Sequence, residues 1–243
     1  NLARKTWSFF EDLVSAEDNW LPPDNLQEYP VPVIAHRTSP TNIGLSLLAN
    51  LSAYDFGYVT TTQLIKRTEN TFSTLKKLDR FEGHFYNWYD TQNLRVLSPH
   101  YISTVDSGNL AGHLLTLRQG FLSIPGQRIV DPKMFRGLED TLRVTIDAIP
   151  VSETELRESL RLLYNSINTN DFRLTGLKDH LTTLLTQYRK IIFSAVNKST
   201  HHDIDWIQTF EKQLEFILQE IVQSTPWINT FAIPVKYQDW SAI

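Results

Sequence analysis

At 243 residues the chain has length enough for one large domain, or one and a half, with a sizeable hydrophobic core. Apolar residues make up 41% and charged residues 21%; the net charge is −4, with Lys and Arg scattered, so the chain reads as soluble and globular and lacks a nucleic-acid binder's electrostatic footprint. No apolar run approaches the ~20 residues needed to cross a bilayer. The absence of Cys excludes a disulfide framework, a thiol nucleophile and a Cys-ligated metal, which favours a cytoplasmic setting.

The chain opens in mid-helix at Asn1-Leu-Ala-Arg-Lys-Thr-Trp7 without an initiator Met, and reads as a piece of a longer protein. Residues 2–15 place Trp7, Phe10, Leu13 and Val14 on one helical stripe. A loop of about 20 residues follows, and a connection that long in a compact domain is either a linker or functional. Its aromatic and acidic residues, Trp20, Asp24, Glu28 and Tyr29, point to function. Ser39 as N-cap and Pro40 at the first helical position then start a helix that runs to about Tyr54. Ile43, Leu45, Leu47, Leu48 and Leu51 make it apolar most of the way round, so burial on several sides is expected. Residues 61–80 instead carry one stripe of Leu64, Ile65, Thr68, Phe72, Leu75 and Leu78 opposite a charged face, as a surface helix does. Residues 84–97 alternate around Thr91-Gln-Asn93 and predict a short β-hairpin. Asp106 or Ser107 is expected to cap the next helix, whose Leu110, Leu114, Leu115, Leu117 and Phe121 predict enclosure.

Pro125-Gly126 and Asp131-Pro132 mark a break, so residues 1–124 and 125–243 read as two regions. Helices are expected near 133–147, 152–168, 176–198 and 204–224, the last two antiparallel across Asn197–Asp203, before Pro226 and Pro234 interrupt the tail. The expected fold class is all-α with one small β-hairpin and long antiparallel helices at the end. In the first region, surface and buried helices alternate as in an α/α toroid. Inner helices there run parallel, which would set the stretches preceding 40–54 and 107–122 on one rim.

Three polar–aromatic stretches concentrate the unusual chemistry: Ala35-His-Arg-Thr-Ser-Pro-Thr-Asn-Ile-Gly-Leu45, His84-Phe-Tyr-Asn-Trp-Tyr-Asp90 and Val105-Asp-Ser-Gly-Asn-Leu-Ala-Gly-His113. Planar hydrogen-bonding groups beside aromatic rings suit a ligand that is polar at its edges and apolar on its faces, as a sugar ring is. His36 and Arg37, with Asn42 beside them, are candidates to bind sugar hydroxyls; alternatively Arg37 ties the loop to Asp24 or Glu28. Trp88 and Tyr89 lie on opposite faces of the predicted strand, so one must be core; Trp88 with Asp90 is the candidate ligand-facing pair. Asp106 is either a helix cap or a rim carboxylate that accepts a hydroxyl or orients Arg37, with Ser107 and Asn109 assisting from the first turn. An Asp106/Ser107/His113 triad is excluded, since His113 lies nearly two turns, or ~9 Å, along the helix. His201-His202-Asp203 reads as an interhelix turn with Asp203 as N-cap rather than as a metal site. No metal and no cofactor is expected.

These stretches, with Trp7-Ser-Phe-Phe10, Asn19-Trp-Leu-Pro-Pro-Asp-Asn25 and Tyr54-Asp-Phe-Gly57, resemble the central, glucoamylase-like region of bacterial cyclic β-1,2-glucan synthases. The resemblance covers roughly residues 1–120. It implies the N-terminal part of an (α/α)6-type toroid that performs retaining transglycosylation, the step that cyclises the glucan. It also implies a parent held at the cytoplasmic face of the bacterial inner membrane, with β-1,2-glucan and the parent's remaining domains as partners of this soluble segment. Retaining chemistry needs two carboxyl groups about 5–5.5 Å apart. The family's glutamates are expected C-terminal to this segment, which would then hold part of a cleft and be inactive alone. The other functional class is a non-catalytic helical scaffold or glycan-binding module within a large synthase. Self-association is expected of the two apolar helices if no other helix covers them.

Overall fold

Eight α-helices and three two-stranded antiparallel pairs occupy the residues that the computed structural model describes, 1–129, 131–169, 173–196 and 204–226. His201, His202, Asp203 and Pro234 lie outside them. The chain divides into two compact units. One takes residues 5–54 and 62–126; the other takes 1–4, 55–61 and the residues from Gln127 onward. The expected all-α class with small β elements is the observed one.

In the first unit, α1 (Leu2–Leu13) leads into the proline-rich loop, which carries β1 (Leu26–Gln27) and β2 (Val33–Ile34) as a small hairpin. β3 (Arg37–Thr38) precedes α2 (Pro40–Asp55), and α3 (Thr61–Leu75) follows. Ser39 caps α2 as its residue type predicts, its hydroxyl accepting from the Asn42 N–H at 3.2 Å. Arg67 fastens the first three helices: it donates to the Asn50 side chain on α2 and to the Phe10 carbonyl on α1, with its guanidinium 4.9 Å from the Trp7 ring centroid. Leu21, Ile43, Leu47, Leu75, Leu78, Tyr89 and Leu117 form the core.

Two local expectations change here. The helix expected to reach residue 80 ends at Leu75, where the Arg80 guanidinium takes the Leu75 carbonyl at 3.0 Å. The chain then turns through β4 (Arg80–Phe81) and β5 (His84–Phe85), joined by Glu82-Gly83 with φ of 48° and 86°, as the primed two-residue hairpin turns require. The hairpin expected over 84–97 is confined to 88–97, where the Tyr89–Val96 bridge is flanked by the Asp90 N–H on the Arg95 carbonyl and the Leu97 N–H on the Trp88 carbonyl, both at 2.9 Å. On its other edge β6 (Tyr89–Asp90) pairs with β3, in the register Arg37 to Asp90 and Thr38 to Tyr89.

The last helix of this unit, α4, spans Thr104–Ser123. It starts earlier than expected: Ser103, not Asp106 or Ser107, is the N-cap, and its hydroxyl accepts the Asp106 N–H at 3.1 Å. α2 and α4 run parallel. Thr41 meets Asn109 near their N-termini, Gly44 meets His113 one turn on, and Leu51 meets Gly120 two turns further. Gly44 makes this approach possible, since a Cβ there would fall 2.2 Å from His113 Nδ1. Side-by-side parallel helices are what the inner ring of an α/α toroid contains.

The second unit is a helical bundle of α5 (Lys133–Ala148), α6 (Thr154–Asn165), α7 (Leu174–Val196) and α8 (Ile204–Ser224). Each presents one apolar stripe, for example Leu138, Leu142 and Ile146 on α5 or Phe210, Leu214, Ile217 and Ile221 on α8, and these form one core. α8 returns along α7 in antiparallel sense. Near the junction the Tyr188 hydroxyl donates to the Ile207 carbonyl at 2.9 Å, and Arg189 pairs with Glu211 and Glu215. Gly57 and Gly137 let segment 55–61 pack on α5: a Cβ on Gly57 would lie 2.1 Å from the Lys133 carbonyl oxygen, and Gly57 itself has φ of 77°. No helix among the described residues is long and apolar enough to cross a membrane.

Candidate functional site

The parallel course of α2 and α4 puts their N-terminal turns side by side, and the β3–β6 pair brings the 84–90 stretch to the same place. The three polar–aromatic stretches therefore meet in one continuous hydrogen-bonded cluster.

Asp24, from the proline-rich loop, is one hub. Its Oδ2 accepts from Arg37 Nε at 3.2 Å and Nη2 at 2.9 Å, while its Oδ1 accepts from Asn42 Nδ2 at 3.2 Å. Of the alternatives for Arg37, the geometry has it tie the loop to Asp24. The guanidinium lies 4.8 Å from the centroid of the Trp88 ring, so a cation covers one face of that indole.

Asp106 is the second hub. The Thr41 backbone N–H and the hydroxyls of Thr41, Ser39 and Ser103 all bond to its carboxylate. A side chain of α4 thus takes an orphan N–H of the first turn of α2, joining the two helix starts. Partial burial alone would push the Asp106 pKa upward. The hydroxyl and N–H donors outweigh it and hold the acid below its usual 3.8, so it is ionised near neutral pH.

Asn87 joins the remaining pieces. In the amide orientation that satisfies its neighbours, it donates to Asp106 Oδ2 at 2.9 Å and accepts from Trp88 Nε1 and the Tyr101 hydroxyl, each at 2.7 Å. The indole of Trp88 is half-buried and held at its N–H edge, with Arg37 on one face. Tyr89, on the opposite side of the strand, is fully buried; its hydroxyl donates to the Asp79 carbonyl at 2.6 Å, and burial pushes its pKa up to about 12.

The other predicted residues take plainer positions in the same cluster. Asn109 Nδ2 donates to the Thr41 hydroxyl at 3.1 Å, and the Ser107 hydroxyl is 3.4 Å from His84 Nδ1. Asp90 Oδ1 accepts the N–H groups of Gln92 and Asn93, both at 2.9 Å, so its carboxylate closes a turn. His36 Nδ1 lies 2.7 Å from Asp18 Oδ1, which also accepts from the Thr91 hydroxyl.

Asp18, Thr41 and Asn87 belong to the cluster without having been read as site residues. For Asn87 a signal was present: an amide between two aromatics in a polar stretch has few apolar uses. Asp18 carried none, because its orientation depends on backbone that the residue pattern does not encode.

No protein-family model matches the chain. The cyclic β-(1,2)-glucan synthase NdvB of Rhizobium meliloti (strain 1021) is 52% identical to it over 116 residues, 48% of the chain. The resemblance read from the stretches thus has a counterpart in sequence identity. The chain spans only 4% of that relative's length. A crystal structure from Bacteroides fragilis, provisionally assigned as a glucoamylase, aligns with 72% of this chain and 37% of its own at 20% identity, with a TM-score of 0.35.

Proposed function

We propose that the unit containing α2 and α4 supplies part of the glucan-binding cleft of a retaining transglycosylation module, the cyclising part of a cyclic β-1,2-glucan synthase. The observation that carries this reading is the convergence of all three polar–aromatic stretches on the adjoining N-terminal turns of two parallel helices. His36, Arg37, Asn42, Trp88, Asp90, Asp106, Ser107 and Asn109 form the site. Within it, Trp88 offers an apolar ring face to a glucose C–H face, and His36, Ser107 and Asn109 offer hydroxyl partners. Asp90 and Asp106 are already engaged with protein donors and shape the site. The nucleophile and acid/base of the retaining reaction lie elsewhere in the longer protein, at the cytoplasmic face of the inner membrane, and the chain binds glucan without turning it over.

Calorimetric titration with linear β-1,2-gluco-oligosaccharides, against β-1,4-linked controls, tests this. The β-1,2-linked ligand is expected to bind, and Trp88→Ala to weaken binding roughly two- to tenfold, the value of one aromatic contact. Absence of binding, or equal binding of the β-1,4 control, overturns the proposal. Chromatographic detection of cyclised or hydrolysed glucan that depends on a carboxylate of this chain overturns the inactive reading.

A further inference from the structure

We infer that Asp18 is a positioning residue that fixes His36 with its proton on Nδ1 and turns Nε2 outward to accept a sugar hydroxyl; the sugar contact rests on the function proposed above. Three observations converge on it. Asp18 is buried, only 6% exposed, and its Oδ1 receives both His36 Nδ1 at 2.7 Å and the Thr91 hydroxyl. A buried carboxylate is an acceptor only, so the neutral ring next to it must carry its proton on the nitrogen that faces it. The opposite nitrogen then holds a lone pair, on a side chain that is 38% exposed, and among the described residues Nε2 has no protein partner.

The backbone that delivers Asp18 is itself unusual. Asn19 and Trp20 both adopt positive φ, 52° and 60°, a conformation unfavourable for L-residues and particularly for a bulky one. Four contacts hold it in place. Asn19 Nδ2 donates to the carbonyls of Thr91 and Gln92 at 2.8 and 2.9 Å, and Thr74 and Thr71 of α3 donate their hydroxyls to the carbonyls of Asn19 and Trp20. Strain retained by so many bonds at one bend is typical of a segment that serves a site. Here its direct result is to point one carboxylate at His36. His36 in turn lies next to Arg37, and its carbonyl accepts the Thr91 N–H at 3.1 Å, so its backbone is tied to the residue that follows β6.

The test has two independent arms, both on the full chain. Long-range ¹⁵N NMR of the histidine rings, with the His36 signal assigned by His36→Gln, reads the tautomer at a pH where the ring is neutral. The Nδ1–H form is expected in the parent chain. In Asp18→Ala a shift to the Nε2–H form that free imidazole side chains prefer is expected, and Asp18→Leu, which fills the space without an acceptor, is the second variant should the alanine chain fail to fold. The binding arm compares His36→Gln, whose amide reaches the Nε2 position, with His36→Asn, which reaches only Nδ1. Binding of β-1,2-gluco-oligosaccharide should fall about three- to tenfold in His36→Asn, as loss of one hydrogen bond does, and be largely retained in His36→Gln. A tautomer unmoved in both Asp18 variants overturns the positioning role. Equal binding by His36→Asn and the parent chain overturns the sugar contact. A parent chain that binds no glucan overturns the proposed function and that contact together, while the tautomer still decides what Asp18 does.

Discussion

Helices α4 and α8 have nearly the same length, 20 and 21 residues, and both are rich in large aliphatic residues, leucine in α4 and isoleucine with leucine in α8, yet they bury side chains on different principles. In α8, Ile207, Phe210, Leu214, Ile217 and Ile221 recur at helical spacing and all are buried, while Glu211 and Glu215 stand outside and pair with Arg189. In α4 only Leu110 and Leu117 are buried; Leu115 and Leu122 are 67% and 60% exposed. What is well satisfied in α4 is its polar start, where Ser103 caps the helix and Asp106 and Asn109 engage α2 and the 84–90 stretch. One helix is therefore specified by its stripe and the other by its first turn. In the first case periodicity describes the apolar core, and in the second it leaves apolar surface over, beside the candidate site.

The largest contrast is expected from matched truncations. Leu142 is fully buried in the bundle core, so Leu142→Ala should cost about 2–5 kcal/mol, combining lost transfer energy with the cavity left behind. Leu115→Ala on α4 should stay within about 0.5 kcal/mol, as exposed substitutions do. Chemical denaturation of the two variants measures both. Equal losses would mean that α4 is covered after all and that the comparison fails.

A second pair sharpens the parallel course of α2 and α4. Gly44→Val places atoms where His113 already lies, and overpacking of this kind costs about 1–3 kcal/mol. Gly112→Ala, also in this helix pair, meets nothing within 4 Å and should stabilise α4 by up to about 1 kcal/mol through helix propensity. Thermal unfolding reports both, and Gly44→Val should in addition weaken oligosaccharide binding as the two helix starts move apart. If both variants melt alike, the Gly44–His113 contact does not hold the helices together.

The same contrast explains what could be read ahead of the structure. The bundle was legible because each stripe, such as Leu177, Leu181, Leu184 and Tyr188, is a local pattern with a single satisfactory burial. The three polar–aromatic stretches were legible as unusual, and the helix polarity behind their shared position followed from Ser39-Pro40 and the alternation of buried and surface helices. Their pairwise contacts were not. Arg37 had acids on both sides, and loop geometry selected Asp24 over Asp106. β6 pairs with β3 across some fifty residues as well as with its own local partner, and local alternation carries no information about that second edge. α4 starts after Ser103, and Asp106, also a good cap by residue type, accepts the Thr41 N–H in the first turn of α2 instead. Competing uses of one side chain are settled only by three-dimensional proximity.

A smaller effect should appear in the acid range. The donors around Asp106 lower its folded pKa below the usual 3.8, so the folded state holds the carboxylate ionised at pH values where the unfolded chain is already binding protons. Its contribution to stability is present above the unfolded pKa and is lost as pH falls from about 4 through the lower folded value. Asp106→Asn should therefore lower the melting temperature at pH 7 and narrow the gap between the variant and the parent chain toward pH 3. A gap that is constant with pH would show that the carboxylate's charge does not matter to the junction of α2 and α4.

The smallest effect on stability and the clearest on behaviour belongs to the exposed face of α4. Leu115 and Leu122 are separated by two helical turns and lie on one side of the helix, with Gly108, Ala111 and Gly112 also exposed along it. Leu45 of α2 is exposed as well. Apolar surface of this kind, left in water, drives association because each Å² covered contributes about 25 cal/mol before the costs of docking. Light scattering over a dilution series should therefore show the chain self-associating, and Leu115→Glu should shift it toward monomer while leaving the unfolding midpoint almost unchanged. A mutation that alters association without altering stability separates a surface left for contact from one buried in the fold. If the parent chain is monomeric at every concentration and binds no apolar dye, the α4 face is satisfied by the chain itself, and the contrast drawn between α4 and α8 loses its basis.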